Sequence, residues 1–341
     1  MRHARDYAEL VSRVSTLRLI GVAEEADAPS WAVADSRALA HAAGVPFMDM
    51  EQGFRACDAV LVCSEPTRHA RLAAQALRAG RHVLIDKPPG VCATDLEELL
   101  RVRAQEPELV VTTVHRLYSP AVARGRHLVD AGQIGLPIAV DAEWIVSGGL
   151  DYATVQRPAL VCDPSLSGGG ELLNFGWYPV LALRHLTGLR VVEAFALGGA
   201  LFANAPSGGP HGRFGVEDRA LLSLALEHGV ISTITITRAP SGPGHDPVAS
   251  SMRVLGSHGY LVLDESAPGI WHHGTSGAAT HITLGGSAGE EAVVACFEDF
   301  AAAIRSGGQA FLTVEEMIDA LRVLDAARES LVSGQPVGVA E

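Results

Sequence analysis

The first third of the chain alternates short apolar runs with amphipathic stretches. Each run is nearly continuous in apolar residues, as expected for a strand that is buried on both faces of a parallel sheet. Two of the intervening stretches end at Gly44 and Gly80, residues suited to the left-handed position after a helix. This alternation predicts βαβ units in a doubly wound sheet. The apolar runs are 17–25, 58–63, 82–85 and 108–114.

Polar residues mark where three of the helices should begin. Ser119 precedes Pro120, which combines a cap with a proline at the first helical position. Two further starts have a threonine followed three residues later by a glutamate, the pattern of a capping box. These pairs are Thr94 with Glu97 and Thr313 with Glu316.

The pattern changes after Pro137. Two alternating runs within 220–237 are joined at Glu227-His228-Gly229, and 252–264 repeats this arrangement with a turn near His258-Gly259, so both stretches predict β-hairpins. The stretches 203–215 and 273–289 are rich in Gly, Ser and His and are predicted to be loops.

These patterns together predict an α/β protein of two domains. Residues 1–118 form a Rossmann-like doubly wound domain, and residues 119–341 form an α+β domain with a mainly antiparallel open sheet. Two helices close the chain and could pack back on the first domain. In the second sheet, the strand over 232–237 alternates Ser and Thr with Ile, and Trp144 and Ile145 point to opposite faces. A sheet face of this kind favours burial against a second copy, so we expect a homodimer or a tetramer of dimers.

Composition and charge exclude several classes of function. The formal charge of −13 disfavours nucleic acid and anionic membrane surfaces as partners. The apolar runs are too short to cross a bilayer, and the first ten residues do not resemble a signal peptide. The five scattered cysteines predict reduced thiols in a cytoplasmic protein, with neither a disulfide framework nor a zinc site.

Lys87 follows the apolar run 82–85, in the segment Asp86-Lys87-Pro88. Ligands of doubly wound sheets bind outside the carboxyl ends of the strands, so a lysine there could bond to a substrate hydroxyl or take its proton. The alternative is a solvated loop lysine. By the same argument Glu24, at the end of the first run, could accept the hydroxyls of an adenosine ribose, or be a surface glutamate.

Polar residues at two further strand ends could meet a ligand. Ser64 or Glu65 could cap the helix that begins near Pro66, and a helix N-terminus can face a phosphate or a ribose, although capping alone explains these residues almost as well. His115 and Arg116 follow the run 108–114, again at a carboxyl end.

The densest polar stretch is 167–188. Its glycines Gly168 to Gly170 allow a close approach of the backbone, and Asn174 and Tyr178 are four residues apart, as on one helix face. A polar pair behind a glycine run suits a polyol, and the alternative is a buried helix of the core. His245 and the pair His272-His273 are expected in loops and lack the spacing of metal ligands. The sequence contains no G-x-S-x-G, P-loop or C-x-x-C motif.

Five of these segments together resemble the family of glucose–fructose oxidoreductases and inositol dehydrogenases, often called Gfo/Idh/MocA. Asp86-Lys87-Pro88 stands for the family's Glu-Lys-Pro, Glu24 for its strand-end acid, and the segment Ser64 to His69 for its Thr-Pro-Asn-x-x-His loop. The segments His115 to Pro120 and Gly168 to Tyr178 are similar to two further family motifs.

This resemblance implies hydride transfer between NAD or NADP and a secondary alcohol or ketone of a sugar, cyclitol or similar polyol. It implies that Lys87 is the catalytic lysine and Tyr178 a proton relay. Asn174 stands where the family often has an aspartate, and an amide cannot take a proton at neutral pH. NAD is favoured because the charge of Glu24 would oppose a 2′-phosphate. The residues implied to bind substrate are Asn174, His115 and Arg116, and those implied to bind cofactor are Glu24, Ser64, Glu65, His69, Asp86 and Lys87.

The family normally begins with a strand and a glycine-rich turn ahead of the first helix. The sequence here opens on what looks like that helix, so the central strand of the sheet, between the runs 17–25 and 58–63, is expected to be missing. Its absence would leave two unpaired strand edges. The alternatives are a start codon assigned too late, or a real truncation that gives a binding protein without catalysis.

Overall fold

The computed structural model describes residues 2–147, 157, 159–200, 215–239, 248–265, 269–275, 277–284 and 288–340. They form two compact units. The first comprises Met1–Gly90, Thr94–Val114 and Val293–Met317. The second comprises Val91–Ala93, His115–Ala292 and Ile318–Glu341.

The first unit alternates helices with short parallel strands. This confirms the predicted alternation, although β2 and α3 lie where the sequence predicted neither a strand nor a helix. The elements are α1 (Arg2–Val11), β1 (Val22–Glu24), α2 (Ser30–Ala42), β2 (Phe47–Asp49), α3 (Met50–Ala56), β3 (Ala59–Val62), α4 (Pro66–Arg78), β4 (His82–Ile85), α5 (Glu97–Gln105) and β5 (Val111–Thr113).

The strands of the first unit form two separate sheets. β1 pairs with β2, and β3, β4 and β5 pair in that order. Val22 N donates to Pro46 O on the β2 side, and Val62 O accepts from Asp86 N on the β4 side. Because amide groups alternate in direction along a strand, those of Ala23 and Leu61 point to the opposite edges, where the described residues supply no strand partner. The expected pair of unpaired edges is therefore confirmed.

An apolar cleft of about 610 Å³ adjoins these two edges. It lies beside the core of the unit, in which Tyr7 and Leu10 of α1 pack with Leu84 of β4 and with Phe297 and Phe300 of α11 (Ala288–Ser306). This core packing holds α1 in place beside the cleft. The lining includes Val11, Ile20, Leu61, Phe297, Phe300 and Ile304.

The second unit contains a nine-stranded sheet in the order β13-β12-β11-β10-β6-β9-β8-β7-β14. Only β6 and β9 pair in parallel within it, which confirms the mainly antiparallel prediction and both predicted hairpins. The elements are α6 (Pro120–Asp130), β6 (Pro137–Ser147), α7 (Ala159–Cys162), α8 (Pro164–Ser167), α9 (Glu171–Asn174), α10 (Trp177–Thr187), β7 (Val191–Gly199), β8 (Arg219–Leu226), β9 (Ile231–Ala239), β10 (Val248–Gly256), β11 (Gly259–Asp264), β12 (Gly269–Gly274), β13 (Ala279–Thr283), α12 (Val314–Ser333) and β14 (Val337–Gly338).

Side chains on this sheet alternate between a buried face and an exposed one. Leu222 and Ile234 are fully buried, whereas Leu221 is 40% exposed and Ile231 is 62% exposed. Trp144 lies on the buried side. The described residues therefore leave large apolar side chains uncovered on the outer face of the sheet.

Two of the three predicted helix starts are confirmed. The hydroxyl of Ser119 accepts from Val122 N at the start of α6, and Thr313 and Glu316 form the reciprocal bonds of a capping box. The capping box at Thr94 is wrong. A 3₁₀-helix over Ala93–Leu96 precedes α5, and Ala93 N donates to Asp325 instead. A bond between residues distant in sequence overrides the local pattern there.

The two predicted loops have different outcomes. Residues 203–214 of the first, and His245, lie outside the described residues. The loop over 273–289 is wrong, because β12 pairs with β13 inside it and His272 and His273 belong to β12. The rings of Trp271 and His281, which are opposite each other on the two strands, are tilted with centroids 4.4 Å apart and so pack across the pair despite its polar sequence.

Candidate active site

Asp86 and Lys87 come directly after β4 and are both buried. The Asp86 carboxylate accepts hydrogen bonds from Lys87 N at 2.8 Å, Tyr7 Oη at 2.8 Å and His3 Nδ1 at 2.9 Å. Burial alone would raise the pKa of Asp86, but the neighbouring positive charges of His3, His69 and Lys87 hold it below its ordinary value. Asp86 is therefore an ionised anchor for this segment.

Lys87 is the only lysine in the chain, and the other 25 of its 26 basic residues are arginines. It is only 6% exposed, so the alternative of a solvated loop lysine is wrong. Its peptide bond to Pro88 is cis. An arginine keeps its proton under all ordinary conditions, whereas a buried lysine can release one. The sequence thus places its single exchangeable ammonium at the carboxyl end of a parallel strand.

Sequence reasoning missed His3 and Tyr7, the two partners of Asp86 on α1. They are four residues apart and so share one face of the helix. That spacing was a usable signal, but nothing local showed which carboxylate they would meet 79 to 83 residues later.

His69 ties two strand ends together. Its Nδ1 lies 2.7 Å from Pro88 O and its Nε2 lies 2.9 Å from Ser64 O, and the ring is buried. Each ring nitrogen thus lies within hydrogen-bond distance of one carbonyl oxygen. The histidine thereby holds the segments after β3 and after β4 in a fixed relation.

Glu24 is a buried residue at the end of β1, and the alternative of a surface glutamate is wrong. Its carboxylate contacts Arg68 Nη2 at 2.8 Å and Ser36 Oγ at 3.3 Å. Arg68 also pairs with Glu25 at 2.6 Å and with Glu65 at 2.9 Å. Burial opposes the charge of Arg68, but its carboxylate partners raise its pKa above the ordinary value.

The acidic cluster beside β1 keeps a net negative charge. Arg71 adds a second cation through Glu25, whose pKa is lowered to about 2 mainly by that hydrogen bond. Three carboxylates thus face two guanidinium groups. Glu65 is the N-cap residue of α4 and Pro66 starts the helix, as predicted, but the Glu65 side chain makes no capping hydrogen bond because it bonds to Arg68. The Ser64 hydroxyl donates to Glu65 O instead of capping the helix.

In the second unit, the glycines before α9 are required by the protein's own packing. A Cβ on Gly170 would lie 2.0 Å from Glu217 O, and one on Gly168 would lie 2.1 Å from Val91 Cγ1. The Glu217 carboxylate accepts from Gly170 N at 3.1 Å and from Leu172 N at 3.2 Å. The close approach expected from the glycine run is therefore made by Glu217 and Val91.

Asn174 and Tyr178 lie on two helices, so the prediction of a shared helix face is wrong. Asn174 ends α9, the chain turns at Phe175 and Gly176, and Tyr178 belongs to α10. A Cβ on Gly176 would lie 2.1 Å from Leu172 O, so glycine permits this tight turn.

Asn174 is linked to a fully buried ion pair. Its Nδ2 donates to Glu171 Oε2 at 3.3 Å, and Glu171 Oε1 accepts from Arg238 Nε at 2.7 Å and from Nη2 at 2.6 Å. Glu171 is 0% exposed and Arg238 is 1% exposed. Arg238 is 67 residues from Glu171, so no local pattern predicts this pair.

Arg116 and Tyr178 are brought together. The guanidinium carbon of Arg116 lies 4.8 Å from the centroid of the Tyr178 ring, and Nη1 lies 3.2 Å from Glu265 Oε2. Burial would lower the pKa of Arg116, but Tyr178 and Glu265 raise it above the ordinary value. Glu265 is held in turn by Ser119 Oγ at 2.7 Å.

His115 is buried and neutral. Desolvation, with repulsion from His185, lowers its pKa to about 3. Its Nδ1 accepts from Leu117 N at 3.2 Å. The two consecutive residues after β5 therefore differ, since Arg116 carries a permanent charge and His115 carries none.

Family comparisons match both halves of the chain. The oxidoreductase family with an NAD-binding Rossmann fold matches residues 2–114, and the GFO/IDH/MocA C-terminal domain matches residues 122–262. The chain belongs to the Gfo/Idh/MocA family of oxidoreductases. The resemblance read from the motifs, and the predicted fold class, are thus confirmed.

Relatives in the family include sugar and polyol enzymes. An inositol 2-dehydrogenase of Rhizobium meliloti is 24% identical over 99% of this chain and 97% of its own length. A dTDP-3,4-didehydro-2,6-dideoxy-α-D-glucose 3-reductase of Streptomyces violaceoruber is 31% identical over 57% of this chain and 58% of its own length.

Solved structures of the family share the whole fold. An oxidoreductase domain protein from Kribbella flavida has a TM-score of 0.84 at 21% identity and covers 100% of this chain and 96% of its own. A levoglucosan dehydrogenase in complex with NADH and levoglucosan has a TM-score of 0.81 at 16% identity, over 99% and 95% of the two chains.

The NAD-binding domain of this family member fits part of the cofactor. Glu24, held by Ser36 and Arg68, suits an adenosine ribose, and Lys87 and His69 lie at neighbouring strand ends. The pyrophosphate needs donors from a glycine-rich turn between a strand and a helix. The described residues show no such turn before α1. The cleft adjoins the unpaired edges of β1 and β3, the place in the sheet where the strand before such a turn would pair.

Described helices include none that is both long and apolar enough to cross a membrane.

Proposed function

We propose that the protein transfers hydride between a nicotinamide cofactor and a secondary alcohol or ketone of a sugar, cyclitol or similar polyol. The observation that carries this proposal is Lys87. The only lysine of the chain is buried at the carboxyl end of β4, in a domain of the NAD-binding oxidoreductase family.

The proposed roles follow from the chemistry of each side chain. A bound nicotinamide cofactor would supply the hydride chemistry. Lys87 Nζ bonds to the reacting oxygen and exchanges its proton, a function that arginine cannot supply. Tyr178 Oη relays that proton, and the cation of Arg116 beside its ring favours negative charge there. Asn174 bonds to a hydroxyl of the polyol, and His115 supports this region as a neutral group.

The substrate class is supported by the relatives. They are named as acting on inositol, 1,5-anhydro-D-fructose and a dTDP-linked sugar. NAD is proposed over NADP because the cluster of Glu24, Glu25 and Glu65 keeps a net negative charge despite Arg68 and Arg71, and so opposes a 2′-phosphate. Cysteines that are all free support a cytoplasmic location.

A second candidate is a sugar-binding homologue without catalysis. The edges of β1 and β3 at the cleft favour it, because a dinucleotide is bound around the central strands of a doubly wound sheet and the described residues supply no strand between these two edges. A protein of this second kind would bind a polyol but would not oxidise or reduce a nicotinamide cofactor.

Absorbance at 340 nm tests both candidates. The wild-type chain is incubated with NAD⁺ or NADP⁺ and myo-inositol or levoglucosan, and with NADH or NADPH and 1,5-anhydro-D-fructose. Turnover with one of these pairs, lost in Lys87→Ala, supports the oxidoreductase. Calorimetric binding of a polyol with no turnover under any condition supports the second candidate.

A further inference from the structure

Asn174 has an amide whose two ends differ in what they offer a ligand. The oxygen accepts a hydrogen bond and the nitrogen donates one, so the direction of the amide decides which hydroxyl arrangement the site can bind. Asn174 Nδ2 donates to Glu171 Oε2 at 3.3 Å, and both residues belong to α9.

The charge of Glu171 sets that direction. Glu171 bonds through one oxygen to two nitrogens of Arg238, at 2.6 and 2.7 Å, in a fully buried pair. Both nitrogens of Arg238 donate to one Glu171 oxygen, and the other oxygen accepts from the Asn174 NH₂ group, so the ion pair orients the amide. The Oδ1 atom of Asn174 consequently points away from the ion pair.

We propose that Glu171 and Arg238 are positioning residues that lock Asn174 with its oxygen presented to a substrate hydroxyl. The binding of a substrate hydroxyl rests on the proposed function. The fixed direction of the Asn174 amide is a property of the folded chain without substrate. Position 174 then accepts from the polyol and gives it no proton.

The same geometry explains why an amide stands at position 174. An aspartate there would place a second carboxylate about 3.3 Å from Glu171. Glu217 already adds a third buried carboxyl, whose pKa is raised by burial and by the charge of Glu171. Like charges at this distance cannot all remain ionised, so the identities of residues 171 and 174 are coupled.

A four-member cycle tests the coupling without substrate or cofactor. It compares wild type, Asn174→Asp, Glu171→Gln and the double variant, which exchanges the amide and the carboxylate. Thermal unfolding midpoints are measured from pH 5 to pH 9. Gln133→Glu, which adds the same charge at an exposed position of the same unit, is the matched control.

Asn174→Asp is expected to lose stability as the pH rises. Repulsion raises the pKa of the new carboxyl above its unfolded value, so the deficit is small near pH 5 and complete once that carboxyl must ionise. The double variant is expected to be more stable than Asn174→Asp at pH 8, and Gln133→Glu to show no pH-dependent deficit. A deficit in Asn174→Asp that is the same at every pH overturns the proposal, and this result needs only that single variant to fold.

Kinetics with a substrate found in the 340 nm assay tests the presented oxygen. In Glu171→Gln the amide can turn either way, so KM is expected to rise roughly threefold to tenfold with a smaller change in kcat. The double variant is expected to recover KM, because its carboxylate at position 174 can only accept. An unchanged KM in Glu171→Gln overturns the proposal. Absence of turnover in wild type contradicts the proposed function alone and leaves the stability cycle to decide the locking of the amide.

Discussion

The neutral state of His115 makes a pH dependence of stability measurable at a single residue. Its pKa of about 3 lies below the ordinary value of 6.5. Between these values the unfolded chain binds a proton that the folded chain does not, so stability falls as the pH falls below about 6.5. One proton corresponds to about 1.4 kcal/mol per pH unit.

Replacing His115 by glutamine is expected to flatten this dependence. Urea unfolding of His115→Gln between pH 4 and pH 6.5 should show a slope smaller than that of wild type by about one proton. His41→Gln, on the exposed surface of α2, serves as the control and should keep the wild-type slope. Equal slopes in wild type and His115→Gln would show that His115 is protonated or exposed in solution.

Tyr178 is expected to contribute through its hydroxyl more than through its ring. Tyr178→Phe keeps the packing on Arg116 but removes the hydroxyl proposed as the proton relay, so kcat should fall by roughly 10²-fold while the melting temperature changes little. Tyr260→Phe, on a ring stacked against His273, is the matched control. A kcat for Tyr178→Phe within twofold of wild type would leave Tyr178 as a packing residue.

Single residues could be predicted when they belong to a sequence motif. They could not be predicted when their role depends on a partner that is distant in sequence. Lys87 and Tyr178 could be singled out because their neighbours in sequence are characteristic. The ion pair of Glu171 with Arg238 and the contacts of His3 with Asp86 join residues 67 and 83 positions apart. Such contacts depend on the folded backbone, and no local pattern shows which residues will meet.

At the scale of elements, the open edges of β1 and β3 predict uneven hydrogen exchange. β4 is paired on both sides, whereas β1 and β3 each border the cleft with one edge. Amides of Ala23 and Leu61 should therefore exchange faster than those of β4. Exchange followed by mass spectrometry on peptides covering 17–25, 58–63 and 82–86 measures this. Equal protection of all three peptides would mean that the edges are covered in solution.

Elements with long periodic patterns were predictable, and short ones were not. The two closing helices and the hairpins carry several turns or alternations each. β2 has three residues and α3 has seven, too few for a period to stand out. β13 was hidden by its polar residues, because the ring contact of Trp271 with His281 exists only once the two strands are paired.

For the whole molecule, the uncovered face of the nine-stranded sheet favours self-association. Leu197 and Leu221 lie opposite each other on neighbouring strands of that face and are 57% and 40% exposed. Burying such a face against a second copy removes apolar area from water. We therefore expect a dimer, or a tetramer of dimers, through this sheet.

Light scattering with a charged substitution tests this interface. Leu221→Glu should reduce the measured mass toward the 35.7 kDa of one chain, because a dimer would bury the new charge. Val332→Glu makes the same kind of change on α12, where the residue is 91% exposed, and should leave the mass unchanged. A wild-type mass of 35.7 kDa at micromolar concentration would contradict the expectation.

The turnover of Lys87→Arg tests the account most directly. This substitution keeps the positive charge beside Asp86 and changes the chain's only lysine into the cation it uses everywhere else. If Lys87 exchanges the proton of the reacting hydroxyl, kcat/KM on the substrate found at 340 nm should fall by roughly 10²- to 10⁴-fold, as in Lys87→Ala, with the unfolding midpoint near that of wild type. A Lys87→Arg enzyme that turns over within threefold of wild type would contradict that role.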